Sequence, residues 1–133
     1  MSARAIRIAA ALIEDGAGRL LLVRKAGTGW FMQAGGKIED GESAVSALRC
    51  ELVEEIGLVL AEGEARHLGR YAAPAANEPG HIVDADIFHV RTRQPPAIRS
   101  EIEAAVWVDP VTALALPLAP LTRDHILPLF RAL

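Results

Sequence analysis

Apolar positions along this chain shift between continuous, helical and irregular spacing, and each shift marks an element. Ile6 to Ile13 and Arg19 to Arg24 are short apolar runs, and Glu14-Asp15-Gly16-Ala17-Gly18 between them has the composition of a hairpin turn. Two antiparallel strands are predicted. From Ser43 to Ile56 the spacing becomes helical, with Val45, Leu48, Leu52 and Ile56 forming one stripe that faces a core. Ser43 is suited to N-cap this helix, Glu42 stands beside its positive end, and Gly57 is suited to close it. Leu58 to Arg70 follows no single period. Ile82 to Val90 and Ala104 to Val108 read as strands on either side of the turn at Pro95-Pro96. Beyond Leu114 the chain is apolar and interrupted by Pro117, Pro120 and Pro128. A last helix is predicted from Thr122 or Asp124, with Pro128 in its first turns or at a kink. Without a repeat or a long linker, residues 1–133 are expected to form a single domain.

Composition narrows the class. A hydrophobic share of 51% and a charged share of 23% are ordinary for a folded domain of 133 residues. A formal net charge of -3 gives no broad attraction to polymeric nucleic acid or an anionic membrane. It is compatible with phosphate esters if divalent cations stand between carboxylates and substrate. The single cysteine, Cys50, excludes an internal disulfide and a multi-cysteine zinc site, which makes the cytoplasm the expected compartment. Arg4 and Arg7 precede an apolar stretch too short for a leader, and no run approaches membrane-spanning length.

The chemistry concentrates on the central helix. Glu54 and Glu55 lie three and four residues beyond Glu51, so the three carboxylates are expected to crowd one sector, apart from the apolar stripe. Like charges at that spacing repel, and a magnesium or manganese ion would relieve the repulsion through oxygen ligands. Upstream, Ala26-Gly27-Thr28-Gly29 leads through Trp30-Phe31-Met32-Gln33 to Gly35-Gly36, a loop whose backbone can approach a ligand closely.

Gly36, Glu42, Glu51, Leu52, Glu54, Glu55, Gly57 and Leu58 keep the order and spacing of the Nudix box, so the chain resembles the Nudix hydrolases of the MutT-like kind. Two positions depart from the pattern: Cys50 replaces the motif arginine, and Ala34 stands where many relatives have proline. The resemblance implies an α/β fold, a Nudix-type α/β/α sandwich with a mixed β-sheet. It also implies a magnesium- or manganese-dependent pyrophosphohydrolase acting on a small nucleotide. Glu51, Glu54 and Glu55 would be its metal ligands and catalytic carboxylates, and Gly35, Gly36 and Lys37 would shape the phosphate site. Either Glu51 or Glu101 would serve as base. Short chain length favours a nucleoside triphosphate, such as an oxidised deoxynucleotide, over a nucleotide sugar or ADP-ribose. The other reading is a nucleotide-binding sensor that has lost catalysis, and a homodimer is left open.

Secondary candidates are weaker. Trp30 and Phe31 offer rings for stacking on a base, and Asn77-Glu78 offers an amide for a base edge. Arg24, Lys25 and Arg70 are further phosphate contacts in prospect. His67, His81, His89 and His125 lack metal-ligand spacing. At Cys50 the thiol cannot replace a guanidinium, so Glu42 is expected to lack its usual partner unless Arg49 or Lys37 substitutes.

Overall fold

Strands β1 (Arg4–Glu14) and β2 (Leu20–Lys25) read as continuous apolar runs because both of their faces are buried. Ala9, Ala11 and Ile13 of β1, with Leu21 and Val23 of β2, enter one core. Ala10 and Leu12, with Leu20 and Leu22, enter a second core on the opposite face. This computed structural model describes residues 4–133, so the first three residues of the expected domain lie outside the described residues.

The sheet is completed by β3 (Phe31–Met32), β4 (Gly35–Lys37), β5 (Arg66–Pro74), β6 (His81–Arg91) and β7 (Ile102–Val108). Helix α1 (Ala44–Ile56) covers one face through Leu48, Leu52 and Ile56. The C-terminal segment covers the other face with Ala113 of α2 (Pro110–Ala113), Leu121, Ile126 and Leu127. The result is the α/β/α sandwich with a mixed sheet. Ser43 caps α1 by accepting the Ser46 N–H, and Gly57 ends it in the left-handed region at φ 67°.

The two predicted antiparallel strands are present, joined at the expected turn, but their direct pairing is short. β1 and β2 are antiparallel but meet only at Glu14 and Leu20, beside the turn. Their remaining edges are filled by distant segments: β1 runs parallel to β6 from Arg4–His81 to Glu14–Arg91 and pairs with β4 at Ile8–Ala10. β2 takes β3 and β7 as antiparallel partners. The segment of unclear period ends in the first half of β5, an edge strand whose alternation is broken by a bulge between His67 and Gly69.

The last helix contains a wide turn. Thr122–Ile126 is a π-helical turn, in which the Leu127 N–H reaches the Thr122 carbonyl, and it leads into α3 (Leu127–Ala132). Pro128 lies at the start of α3. Proline has no N–H to donate one turn back and its ring would crowd that carbonyl, so the wider turn relieves both problems without ending the helix.

Candidate active site

Gly35 and Gly36 bring α1 and β1 together. Gly35 has φ 156°, and a Cβ there would lie 2.2 Å from the Ala9 carbonyl oxygen, so no side chain fits. Its N–H donates to Glu55 Oε1 at 3.0 Å. A Cβ on Gly36 would lie 2.4 Å from Glu51 Cδ, which means that the Glu51 carboxylate rests against this glycine. The double glycine thus leaves room for two helix carboxylates to reach the strand.

The three glutamates differ in environment. Glu55 is 3% exposed, although a sector apart from the apolar stripe was expected for all three. At helical spacing Glu55 lies only about 20° from Leu48, at the margin of the buried stripe, so it turns inward. Burial pushes its carboxyl up from 4.5 to about 7, opposed by the Gly35 N–H and by Lys25 and reinforced by Glu51 and Glu101. Glu51 is half-buried; its pKa is raised by desolvation first and then by the charge of Glu54. Glu54 itself is exposed.

Glu101 is brought to this group by a loop that sequence spacing could not place. The Ala97 and Arg99 N–H groups donate to the carbonyls of Ile56 and Glu55 at 2.9 and 3.0 Å, tying the loop to the end of α1. Glu101 Oε1 lies 3.3 Å from Lys25 Nζ, and its charge acts on both Glu51 and Glu55. One cation thus faces several carboxylates. Hard oxygen donors short of positive charge suit a divalent ion. No group of three or more His, Cys, Asp or Glu side chains among the described residues forms a ready cage. Magnesium is commonly held by one or two carboxylates together with substrate phosphates, so the donor set still fits it.

Next to the glycines lies a cavity of about 140 Å³, on the face of the sheet opposite α1. Gly35, Gly36, Lys37, Lys25, Asn77 and Glu78 are among its lining residues. A larger cleft of about 880 Å³ surrounds Glu14, His89, Arg91 and Arg131, and none of the glycines or glutamates of the box lines it. Of the two, only the smaller cavity is lined by Gly35 and Gly36, the glycines against which Glu55 and Glu51 rest.

Other sequence candidates fall elsewhere. Trp30 and Phe31 do not line the cavity; Phe31 packs in the second core, with the Arg24 guanidinium 5.9 Å from its ring centre. Strand β3 presents Met32 there, and the next residue, Gln33, also lines the cavity. Arg24 pairs with Glu103, and Arg70 pairs with Asp84 on β6. His67 and His89 pair with Asp86 and Glu14. Cys50 is exposed, and Glu42 has no cationic partner among the described residues; its Oε1 accepts the Glu39 N–H at 3.1 Å. Gln33 and Thr122, which sequence reasoning did not single out and no motif marks, also line the cavity and are hydrogen-bonded to each other.

The family model of the NUDIX domain matches residues 4–130. The chain belongs to the Nudix family. This Nudix chain is 36% identical over 120 residues to the CTP pyrophosphohydrolase of Escherichia coli (strain K12), covering 86% of this chain and 84% of that protein. The solution structure of the E. coli ORF135 protein is similar, with 32% identity, a TM-score of 0.74, and coverage of 98% of this chain and 91% of that one. A MutT protein from Methanosarcina mazei Go1 shares the fold at a TM-score of 0.80 and 21% identity, with coverage of 99% and 96%. Membership and the pyrophosphohydrolase relative make the chain a Nudix pyrophosphohydrolase, which sets aside the sensor reading.

Proposed function

We propose that this Nudix enzyme hydrolyses a nucleoside triphosphate to the monophosphate and pyrophosphate, with Glu51, Glu54 and Glu55 as the metal-ligating and catalytic carboxylates. The observation that carries this reading is the meeting of Glu51 and Glu55 with Gly36 and Gly35 beside the cavity. The similarity to a CTP pyrophosphohydrolase supports the triphosphate class over nucleotide sugars and ADP-ribose. A magnesium or manganese ion, when bound, supplies charge neutralisation at the phosphoryl oxygens.

The chain's own residues perform the remaining tasks. The Gly35 N–H orients Glu55, and Gly36 leaves space for the Glu51 carboxylate. Lys25 and Lys37, at the cavity, meet the anionic phosphates. Water attacks phosphorus and its proton passes to a carboxylate oxygen of Glu51 or Glu101, while the phosphoanhydride oxygen leaves with pyrophosphate. An exposed free thiol at Cys50 suits the reducing cytoplasm, our proposed location.

The test measures hydrolysis of nucleoside triphosphates, dinucleoside polyphosphates, ADP-ribose and nucleotide sugars with magnesium or manganese. Turnover of a triphosphate that stops on chelation, falls by orders of magnitude in Glu54→Gln and Glu55→Gln, and puts oxygen-18 from water on phosphorus is expected. Unchanged turnover in both variants, or label on the sugar carbon, overturns the assignment.

A further inference from the structure

The cleft of about 880 Å³ gathers cations that the hydrolytic site does not use. Strand pairing along β6 builds it: the parallel register sets Arg91 beside Glu14 of β1, and the antiparallel register sets His89 beside Arg66 of β5. Positions two apart on a strand share a face, so His89 and Arg91 point the same way. Arg131, in the last turn of α3, completes the set. Glu14 shares with Ala10 and Leu12 the face of β1 opposite α1, and it stands about 13 Å along the strand from Ala10, which lines the smaller cavity.

Three arginines and a histidine face two carboxylates in this cleft, Glu14 and Glu64, although the chain as a whole has a formal net charge of -3. Both carboxylates are engaged. Buried Glu14 has its Oε2 2.7 Å from His89 Nε2, and its Oε1 accepts from Arg91 Nε at 3.1 Å. Glu64 accepts the Ala61 N–H at 2.8 Å. Neither Arg66 nor Arg131 forms an ion pair among the described residues. Arg91 meets Glu14 through Nε alone, which leaves its Nη groups for another acceptor, and Gly16 lies against its stem. Cations collected without acceptors repel one another, and a bound anion removes that cost. Guanidinium forks match phosphate oxygens in pairs, and the cleft volume lies within the range of small-molecule sites, about 300–1,000 Å³.

We propose that this cleft is a second anion site, separate from the hydrolytic centre, which takes a small phosphate-bearing molecule on Arg66, Arg91 and Arg131. Glu14 holds His89 and Arg91 in place. Inorganic pyrophosphate and a nucleoside monophosphate both carry the required chemistry, and Pro110 and Phe130 give the nucleotide an apolar wall that pyrophosphate does not use. The site needs neither a metal ion nor the carboxylates of the box, so it stands apart from the hydrolase reading.

Titrations of inorganic pyrophosphate, CMP and citrate into the metal-free protein, followed residue by residue through amide NMR at constant ionic strength, test it in the parent, Arg66→Gln and Arg131→Gln. Saturable shifts at the amides of Arg66, His89, Arg91 and Arg131 are expected with pyrophosphate and CMP. Each substitution should weaken that binding about tenfold, the loss expected for a hydrogen bond between charged groups. Shifts at Gly35 and Gly36 report the hydrolytic centre and should not change in either variant. Both side chains are exposed, so both variants should melt within about 3 °C of the parent. Equal affinity for pyrophosphate and CMP assigns recognition to phosphate alone, and tighter CMP binding adds the apolar wall; both results support the site. Shifts confined to Gly35, Gly36 and Lys37, citrate binding as tight as that of pyrophosphate, or unchanged affinity in both variants overturns it.

Discussion

Adjacent glycines separate two kinds of consequence at single residues. At Gly35 a Cβ would meet fixed backbone, 2.2 Å from the Ala9 oxygen and 2.7 Å from Ala10 Cα. At Gly36 it would meet the end of a flexible side chain, Glu51. Gly35→Ala is therefore expected to destabilise the whole fold by about 3 kcal/mol or more, read by urea unfolding. Gly36→Ala should keep the fold within about 1 kcal/mol but displace the Glu51 carboxylate and lower kcat/KM by about a hundredfold. Loss of stability without loss of activity in Gly36→Ala would contradict the contact. Cys50 supports a second contrast. It is exposed and makes no hydrogen bond among the described residues, while Glu42 lacks a cation. Cys50→Ser is expected to leave turnover unchanged, and Cys50→Arg to tighten magnesium activation by supplying the guanidinium beside Glu42. Magnesium titrations of activity for the three proteins check both, and a strong loss in Cys50→Ser would show that the thiol takes part.

Among elements, α1 is the one whose ends decide most. Ser43 and Gly57 were legible as caps because capping depends on side-chain chemistry and on φ, which are local. The tether from α1 to the 97–101 loop was not legible, since it uses backbone groups that any residue carries. Gly57 joins the two: φ is 67°, and a Cβ there would lie 3.1 Å from Ala97 Cβ and 3.2 Å from Arg99 Nη2. Gly57→Ala is expected to cost about 1–2 kcal/mol in thermal or urea unfolding. It should also loosen the loop carrying Glu101, seen as faster amide exchange at Ala97 and Arg99. Unaltered exchange there would dissociate the cap from the loop. β5 was unreadable for a related reason, because its bulge at His67–Gly69 breaks the alternation from which strands are recognised.

For the molecule as a whole, the buried carboxylate makes stability depend on pH and metal together. Glu55 titrates near 7 in the fold against 4.5 for an unperturbed glutamate, with burial as the leading cause and the Gly35 N–H, Lys25, Glu51 and Glu101 around it. Between those values the folded state holds a proton that the unfolded state has released. Stability is therefore full below about pH 4.5, falls as pH rises, and levels off above about 7. The metal-free protein is expected to lose on the order of 2–3 kcal/mol from pH 5 to pH 8, and Glu55→Gln to lose much less. At pH 8 magnesium should raise the melting temperature of the parent and not of Glu55→Gln, since an ion bound only by the fold stabilises it by mass action. A parent protein equally stable at both pH values would contradict this account. The sequence by itself determined which residues meet short-range rules: the apolar runs of β1 and β2, the caps of α1, the double glycine, and the spacing of Glu51, Glu54 and Glu55. These depend on periodicity and on backbone preference, both of which act over a few residues. Only the tertiary structure decided that β1 takes β6 rather than β2 as its long partner, that Glu55 lies inside, and that Gln33 meets Thr122 from 89 positions away. Burial and hydrogen-bond pairing depend on what the fold brings opposite a residue, and no local spacing contains that information.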